Sequence, residues 1–290
     1  MLFRSHFLNI RRVKRYQEMI KEFLPTIDEI KLSTITSLLQ ATTEIEQIYR
    51  NVKHNLIIGK KTKSTWILMQ TSADIIKTMM NAKAYSVAFD SFILGMPIGD
   101  SLGPLAIKEF ITEIQGFNGT TAPEHRPLHG GIFASTFNYE DRQCICLRAK
   151  GPASVVGNPG AALSFLIDQL QKEQKAPHLI ITIDAMQRLE GEKSGTVAIG
   201  LGAAIGGGAT HEIDKYCIES LAINHKPPIP IESIICKQSL EDAVTPMSEE
   251  IHRSIPKIIR YIKRILRSQT KEGDLIIIFG IGNALGVSVE

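Results

Sequence analysis

Residues 180–215 have the sequence IITIDAMQRLEGEKSGTVAIGLGAAIGGGATHEIDK, which contains two short apolar runs rich in β-branched residues. Each run is bounded by glycine or by charged residues, a pattern that predicts a buried strand. The first run leads into Asp184, and the second leads into a glycine-rich loop, Gly200 to Gly208, followed by His211. Ligands in an open α/β sheet bind beyond the carboxyl ends of the strands, so we expect the acid, the loop and the histidine to share one edge.

The composition is that of a globular protein. The residues are 43% hydrophobic and 22% charged. The length of 290 residues allows about two domains or one large one. The net charge of +3 is too small to indicate nucleic-acid binding, and no basic motif interleaved with aromatic residues supports it. The four cysteines show no C-x-x-C spacing, which favours a reduced, cytoplasmic protein with small apolar thiols.

The first residues, MLFRSHFLNIRRVKRYQEMIKEF, are basic and lack the apolar core of a secretory signal. No apolar run in the chain approaches the roughly 18 residues that span a bilayer. Two interpretations of the basic segment remain open. It is either a helix that lies beside anionic lipid or an acidic partner, or a solvated helix face. The first interpretation predicts a cytoplasmic protein tethered to the inner face of the membrane.

Apolar periodicity predicts an all-helical N-terminal region over residues 1–95 and an α/β domain over 96–290. In the first part, apolar residues recur every three or four positions over 3–24, 27–57 and 66–94. Proline and glycine separate these stretches. In the α/β domain we expect helices over 102–114, 161–172, 211–224 and 245–268, and strands over 132–137, 143–147, 179–183, 196–201, 231–236 and 274–279.

Several local features are open to more than one interpretation. Ser33 or Thr34 is expected to cap the second helix. The stretch SVAFDSFIL, residues 86–94, is assigned to a helix but also fits a strand. Residues 118–131 are rich in glycine, proline and threonine and are expected to form a loop.

The stretch MPIGDSLGP, residues 96–104, is the second unusual feature of the chain. Gly99 permits backbone geometries that other residues resist. Asp100 or Ser101 is placed to cap a helix that begins near Leu102, and capping alone would account for the residues found here.

No nucleotide cofactor is predicted, although two glycine-rich stretches invite the comparison. The loop over residues 150–160 lacks the G-K-[ST] ending of a phosphate-binding loop. The stretch Gly200 to Gly206 misses the dinucleotide fingerprint by one residue, and no acid follows at a ribose-binding strand end.

Three short motifs resemble, in the same order, those of the spore germination proteases. That group has a D-x-L-G-P turn, an I-D-A-L strand end and a glycine-rich loop. Here the motifs are Asp100-Ser-Leu-Gly-Pro104, Ile183-Asp-Ala-Met186 and Ala204-Ile-Gly-Gly-Gly208. The resemblance covers about residues 97–250 and implies a phosphorylase/hydrolase-like sheet domain with three layers. The match differs in two respects: the proteases have a strand before the first acid turn, and their loop contains proline and serine.

The resemblance implies a site built from two acids and a histidine. The hydrogenase-maturation proteases share the fold and are similar in using acid, acid and histidine as metal ligands, which here would be Asp100, Asp184 and His211. Such a set suits Zn²⁺ or a similar divalent metal. Two neighbouring carboxylates can also activate water directly, because one pKa rises while the other acid stays ionised. The N–H groups of the loop would form an oxyanion site at Gly206, Gly207 and Gly208.

Each of these residues also has a structural interpretation. Asp184 could cap its strand or pair with Arg188, and His211 could be a surface residue at a helix start. Further candidates at the edge are His125, His129, Lys150 and Asn158.

Over nearly its whole length the chain also resembles a family of uncharacterised archaeal proteins, which commonly carry a membrane-spanning N-terminus. That resemblance implies an anchor that is either absent here or precedes the basic segment. The first hypothesis is therefore a peptidase-like hydrolase that acts on a peptide or protein at the cytoplasmic face of the membrane. The alternative is a non-catalytic module of the same fold that binds a ligand or partner, with the helices mediating assembly into a homo-oligomer.

Overall fold

The computed structural model describes residues 2–115, 123–205 and 209–288, with side chains described from residue 12 onward and not at 209–211. The N-terminal region consists of three helices, α1 (Leu2–Phe23), α2 (Glu29–Lys61) and α3 (Thr65–Leu94). The stretch over 86–94 is therefore helical. Helix α3 ends at Gly95, whose φ of 63° is the left-handed conformation that glycine adopts without strain.

Helix α2 begins earlier than expected, so the predicted cap at Ser33 or Thr34 is wrong. Asp28 has an extended backbone, and its carboxylate accepts a hydrogen bond from the Lys31 N–H at 2.9 Å. Because an aspartate in this geometry satisfies a free N–H of the first turn, the helix starts at once after it. Ser33 lies inside the helix and is buried.

The remaining described residues form an α/β domain with seven strands and six α-helices. The strands are β1 (Glu124–Pro127), β2 (Ile132–Tyr139), β3 (Arg142–Ala149), β4 (Leu179–Gln187), β5 (Val197–Leu201), β6 (Ile231–Gln238) and β7 (Leu275–Gly280). The helices are α4 (Leu102–Ile114), α5 (Pro159–Lys172), α6 (Ala209–Asn224), α7 (Leu240–Val244), α8 (Glu249–His252) and α9 (Ile255–Gln269), with single 3₁₀ turns at Gly99–Ser101 and His129–Gly131.

The strands form one mixed sheet in the order β1-β2-β3-β7-β4-β6-β5. Strands β3, β7, β4 and β6 are parallel, whereas β1, β2 and β5 pair antiparallel with their neighbours. Helices α4 and α9 cover one face and share one apolar cluster with it, while α5 and α6 cover the other face. The predicted α/β fold with a three-layer arrangement is confirmed.

The last strand, β7, lies in the middle of the sheet and contacts the first helix of the domain. All six residues of β7 are buried, which is why its sequence is a continuous apolar run. A Cβ on Gly280 would collide with the carbonyl oxygen of Gly103 in α4. The last strand of the described residues and the helix that opens the domain therefore lie directly against each other.

Four other sequence expectations differ from the structure. Residues 124–127 form the edge strand β1 inside the expected loop, because they pair with β2. Strand β4 continues past Asp184 to Gln187, since β6 offers it pairing partners up to Gln238. The helix expected over 245–268 is two helices, α8 and α9, with a turn at Arg253 and Ser254.

The fourth difference concerns the start of α4. The expected cap from Ser101 is wrong, because the Ser101 side chain makes no hydrogen bond to the first turn of α4. Ser101 Oγ donates to Leu285 O and accepts from the Ile98 N–H, and Asp100 accepts from the backbone of Asn283.

Among the helices of the described residues, none combines the length and the apolarity needed to cross a bilayer.

Candidate functional site at the carboxyl edge of the sheet

Asp184 is a buried carboxylate near the carboxyl ends of the central strands. It lies on β4, one position beyond Ile183, which pairs with the last residue of β7, Gly280. Its side chain is only 4% exposed, and Oδ1 accepts the N–H of Ala185 at 2.7 Å. Since Ile183 packs into the layer of α4 and α9, Asp184 points to the opposite face, towards α5 and α6.

Asp100 reaches the same edge from the turn before α4. The N–H of Asn283 donates to the backbone carbonyl of Asp100 at 3.0 Å and to its Oδ2 at 3.1 Å. In the same turn, the N–H of Ile281 donates to the carbonyl of Ile183 at 2.8 Å. The turn over 281–283 therefore contacts both the strand that carries Asp184 and the residue Asp100.

The glycine-rich loop does not leave the sheet where the sequence suggested. Strand β5 is antiparallel, so its end at Leu201 pairs with Glu232 near the start of β6, at the opposite edge. From there the chain folds back over the face of β4, where the Ala204 N–H donates to Thr182 Oγ1 at 2.7 Å. The expectation that both strands end at one edge is wrong, but the loop still approaches within two residues of Asp184 along β4.

Part of the expected metal and oxyanion site lies outside the described residues. Gly206, Gly207 and Gly208 are not described, and His211 belongs to the first turn of α6 with its side chain undescribed. Among the side chains that are described, no three from histidine, cysteine, aspartate and glutamate lie close enough together to hold a metal ion. The metal site therefore stays a prediction.

A large cavity lies between the N-terminal helices and the α/β domain. It encloses about 850 Å³, and its walls come from α1, α2 and α3 on one side and from the 154–157 loop, Asp214 and Asn283 on the other. This volume is typical of small-molecule sites, which range over about 300–1,000 Å³. Neither Asp100 nor Asp184 lines this cavity.

A chain of hydroxyl groups connects the cavity wall to Asp100. Ser37 Oγ lies 2.9 Å from Ser154 Oγ, and Asn283 Nδ2 donates to the same Ser154 oxygen at 3.0 Å. Ser33 Oγ donates to the Ser154 carbonyl at 2.8 Å. Because the backbone of Asn283 in turn binds Asp100, the helical region, the cavity and the acid turn are held in one hydrogen-bonded network.

Asp214 is the carboxylate of this region that sequence reasoning did not select. Its Oδ1 accepts the N–H of Gly160 at 3.0 Å, at the start of α5. It lines both this cavity and a groove of about 750 Å³ between α5 and α6. The sequence offered a signal, since Asp214 follows the glycine-rich loop by six residues, but only the packing of α6 against α5 brings it to the cavity.

The four further edge candidates all have structural partners. Asn158 caps α5 by accepting the Ala161 N–H, and Lys150 forms an ion pair with Glu29 at 3.3 Å. His125 Nδ1 lies 2.8 Å from Ser135 Oγ, and the ring of His129 packs on that of Phe165.

The cysteines fit the expected role of small apolar groups. Cys144, Cys146 and Cys236 are buried, and none of them forms a disulfide within the described residues. Burial raises the pKa of Cys144 to about 12, which leaves the thiol protonated and unreactive at neutral pH.

Fold and site together define an α/β protein with a helical N-terminal region, a buried acid at the carboxyl edge and a large cavity between the two parts. Residues 5–95 match the N-terminal domain of the protein family of unknown function DUF1512, and residues 98–288 match its C-terminal domain, so the chain belongs to that family. Curated proteins and solved structures give no match.

Proposed function

We propose that the protein is a hydrolase of peptidase-like type with its centre at Asp184 and Asp100. The observation that carries the proposal is the turn over 281–283, which contacts the strand of one acid and the residue of the other. In the germination proteases, which the chain resembles, a strand leads into the first acid turn. Here the turn that follows β7 lies against Asp100.

In this proposal the two carboxyl groups of Asp184 and Asp100 share general acid–base catalysis. When both approach the same water they do not both stay ionised, so the ionised one would take a proton from the water and the protonated one would give its proton to the leaving amine. The peptide would bind from the face on which Asp184 and the described part of the glycine loop lie.

A divalent metal fits the donor types of the predicted site. Carboxylate oxygens of Asp100 and Asp184 and an imidazole nitrogen of His211 form a set that Zn²⁺ accepts with one position open. The metal would supply an acidified water. Elemental analysis of protein purified without chelator, together with thermal unfolding after Zn²⁺ addition, tests this part: an unchanged unfolding temperature and no bound metal would contradict it.

Substitution of the buried acid tests the proposal directly. Asp184→Asn keeps the size and the Oδ1 acceptor but removes the charge, so we expect turnover of fluorescein-labelled casein and of a peptide library to fall at least 100-fold. The unfolding temperature should change by only a few degrees. Asp90→Asn, on an exposed position of α3, is the control and should retain full activity.

The cavity supports a second candidate, a module that binds a small molecule without catalysis. Its hydroxyl, amide and carboxylate groups, including Ser37, Gln40 and Asp214, are suited to an uncharged or zwitterionic ligand. A metabolite library screened by thermal unfolding tests this candidate. A stabilising compound with no hydrolysis by the wild type would favour binding, whereas hydrolysis abolished by Asp184→Asn would favour the enzyme.

We also propose that the basic N-terminal segment contacts the inner face of the membrane. Lys14 and Arg15 are exposed on α1, while Arg12 is paired with Glu44 at 3.3 Å. Co-sedimentation with vesicles that contain anionic lipid tests the contact, and Lys14→Glu/Arg15→Glu should abolish it. Equal sedimentation of the variant and the wild type would contradict it.

A further inference from the structure

The hairpin of α2 and α3 extends away from the rest of the described protein. Helix α2 contacts other elements at Ser37, which lies 2.9 Å from Ser154, and at Glu44, which binds Arg12. From residue 45 to residue 94, no described side chain forms a hydrogen bond or an ion pair outside the hairpin. Beyond Glu44, α2 continues to Lys61, about 26 Å at 1.5 Å per residue. This projecting part, residues 45–85, is called the arm below.

One side of the arm is apolar and exposed. Trp66 is 72% exposed and Ile76 is 71% exposed, and both α2 and α3 contribute further large apolar side chains. Large apolar residues at single exposed positions are ordinary, but a surface shared by two helices marks an interaction site. This surface, called the arm face below, consists of Tyr49, Leu56, Ile57, Trp66, Met69, Ile76, Met79 and Met80.

The other side of the arm is polar and lies on the side of the α/β domain. Ser37, Glu44 and Asn51 are seven residues apart, so they lie on one side of α2. The first two bind Ser154 and Arg12, and Asn51 lines a polar groove between α2 and α3. The groove, α1 and the contact with the α/β domain are therefore on the same side of the hairpin.

The arm face is turned away from that polar groove. Asp74 lines the groove from α3. Met69, Ile76 and Met79 lie roughly 140–160° around the helix from Asp74, at about 100° per residue. Neither α1 nor the α/β domain therefore covers the arm face, which can lie against an extended surface.

The arm carries more positive charge than the whole chain. Residues 45–85 contain seven basic and two acidic residues, a net charge of +5, whereas the chain carries +3, which leaves −2 for all other residues. Of the two acids, Glu46 is paired with Arg50 at 2.6 Å and Asp74 lies at the polar groove. The tip over 60–63 presents three exposed lysines. This charge attracts an anionic surface and repels a second arm.

The residue types of the arm face fit a lipid surface rather than a nucleic acid. Methionine, isoleucine and leucine neither pair with phosphates nor stack on bases, and they make up most of the face. Tryptophan is enriched at the headgroup level of membranes, and lysine keeps its charge there while its alkyl stem lies along apolar groups. Helices with these two faces lie in the plane of the interface, with the apolar side buried about 5–10 Å.

We propose that the arm lies in the headgroup region of an anionic membrane, with the arm face against the acyl chains and the lysines at the lipid phosphates. This surface is separate from the proposed hydrolytic site and from the basic N-terminal segment. Since one amphipathic surface binds lipid weakly and reversibly, we expect sedimentation with vesicles to require both the arm and the N-terminal segment.

Trp66 makes the test specific, because it is the only tryptophan of the chain and its emission reports on the arm alone. With vesicles of phosphatidylserine and phosphatidylcholine, the emission of the full chain should shift to shorter wavelength. Brominated acyl chains in the same vesicles should quench it. Vesicles of phosphatidylcholine alone should cause neither effect at the same lipid concentration.

Charge reversal at the tip tests the electrostatic part. Lys60→Glu/Lys61→Glu should weaken partition into the anionic vesicles at least about 20-fold, measured by the Trp66 shift. Lys257→Glu/Lys271→Glu makes the same change in net charge at exposed positions of the α/β domain and should bind like the wild type.

Loss of apolar side chains tests the insertion. Met69→Ser/Ile76→Ser should weaken partition about tenfold or more, because two large side chains no longer leave water. Leu189→Ser/Ile223→Ser removes two equally exposed apolar side chains elsewhere and is the matched control. Circular dichroism verifies that each variant is folded.

Four outcomes would overturn the proposal. Trp66 emission could stay unchanged with anionic vesicles, or shift equally with neutral ones. Lys60→Glu/Lys61→Glu could bind as well as the wild type. If the emission instead shifts with protein concentration or with added RNA in the absence of lipid, and Met69→Ser/Ile76→Ser abolishes this, the arm face binds protein or RNA and the lipid proposal is wrong.

Discussion

Gly103 allows α4 to approach the edge of the sheet at which the two acids lie. A Cβ at this position would collide with the carbonyl oxygen of Ile281 and lie 2.8 Å from that of Ile183. Both atoms are backbone and belong to the segments that position Asp100 and Asp184. The glycine is therefore required by close approach, not by its backbone angles.

Gly103→Ala should destabilise the protein even though alanine favours a helix by about 1 kcal/mol over glycine. Because neither backbone segment can move freely, we expect a net loss of about 1–3 kcal/mol in the free energy of unfolding, measured with urea. Gly59→Ala is the matched control, since its Cβ would meet only the side chains of Leu68 and Ile67, which can shift. An equal effect of both substitutions would contradict this account.

Asp242 is a second residue whose environment has a measurable consequence. Burial raises the pKa of its carboxyl, but hydrogen bonds from Ser194 and Ser239 outweigh burial and hold the pKa below its ordinary value. Ser194 Oγ lies 2.6 Å and Ser239 Oγ 2.7 Å from Asp242 Oδ2. The ionised form is thus favoured in the folded state.

A lowered pKa in the folded state stabilises the protein above the unfolded pKa, and this stabilisation is lost as the pH falls through the folded value. Asp242→Asn should therefore lower the free energy of unfolding at pH 7 by about 1 kcal/mol, since charged hydrogen bonds become neutral ones. The difference from the wild type should shrink below about pH 4. Urea unfolding at several pH values measures it, and a difference that grows in acid would refute the assignment.

Among the elements, α9 shows how strongly packing depends on one helix face. Its apolar residues recur every three or four positions and are buried against the sheet, while its arginines and lysines lie on the other side. Such a helix is held by its apolar face rather than by its intrinsic propensity.

Ile262→Ala should cost about 2–5 kcal/mol, because Ile262 is completely buried among the residues of α4 and the sheet. Arg260→Ala, on the exposed face of the same helix, should stay within about 0.5 kcal/mol of the wild type. Chemical denaturation of the two variants separates packing from helix propensity. Similar losses in both would show that α9 is not held by its buried face.

For the whole molecule, Ser154 forms one of the contacts between the helical region and the α/β domain. Its hydroxyl bonds both Ser37 of α2 and Asn283 of the acid turn. Removal of the Ser154 hydroxyl leaves the Ser37 hydroxyl and the Asn283 amide without that partner. The hydrogen bond from the Ser33 hydroxyl to the Ser154 carbonyl remains.

Ser154→Ala should therefore loosen the two parts relative to each other. We expect a loss of about 1–3 kcal/mol and faster hydrogen exchange at the start of α2 and in the 281–283 turn. Thr42→Ala is the control, since its hydroxyl bonds only the Leu38 carbonyl of its own helix. Unchanged exchange in α2 would mean that other contacts hold the two parts together.

The order and type of most elements could be predicted from the sequence alone, because hydrophobic periodicity is local information. The helices of the N-terminal region, the buried central strands and the amphipathic face of α9 all follow from spacing. Strand β1 could not be predicted, since the polar EHRP segment becomes a strand only by pairing with β2. Pairing between strands also explains why Asp184 lies inside β4 and not at its end. Strand β6 pairs with β4 beyond Asp184, as far as Gln187.

The chemistry of the candidate site was partly contained in the sequence, which singled out both acids and the glycine loop. Only the tertiary structure decided that β5 runs antiparallel, that β7 returns to the centre of the sheet and that its exit turn bonds Asp100. It also placed Ser154, Asp214 and Asn283 around one cavity. These facts depend on contacts between residues far apart in the chain. Asn283 with Asp100 and Ser37 with Ser154 are more than 100 positions apart, the paired residues of β5 and β6 are more than 30 apart, and no local pattern specifies such contacts.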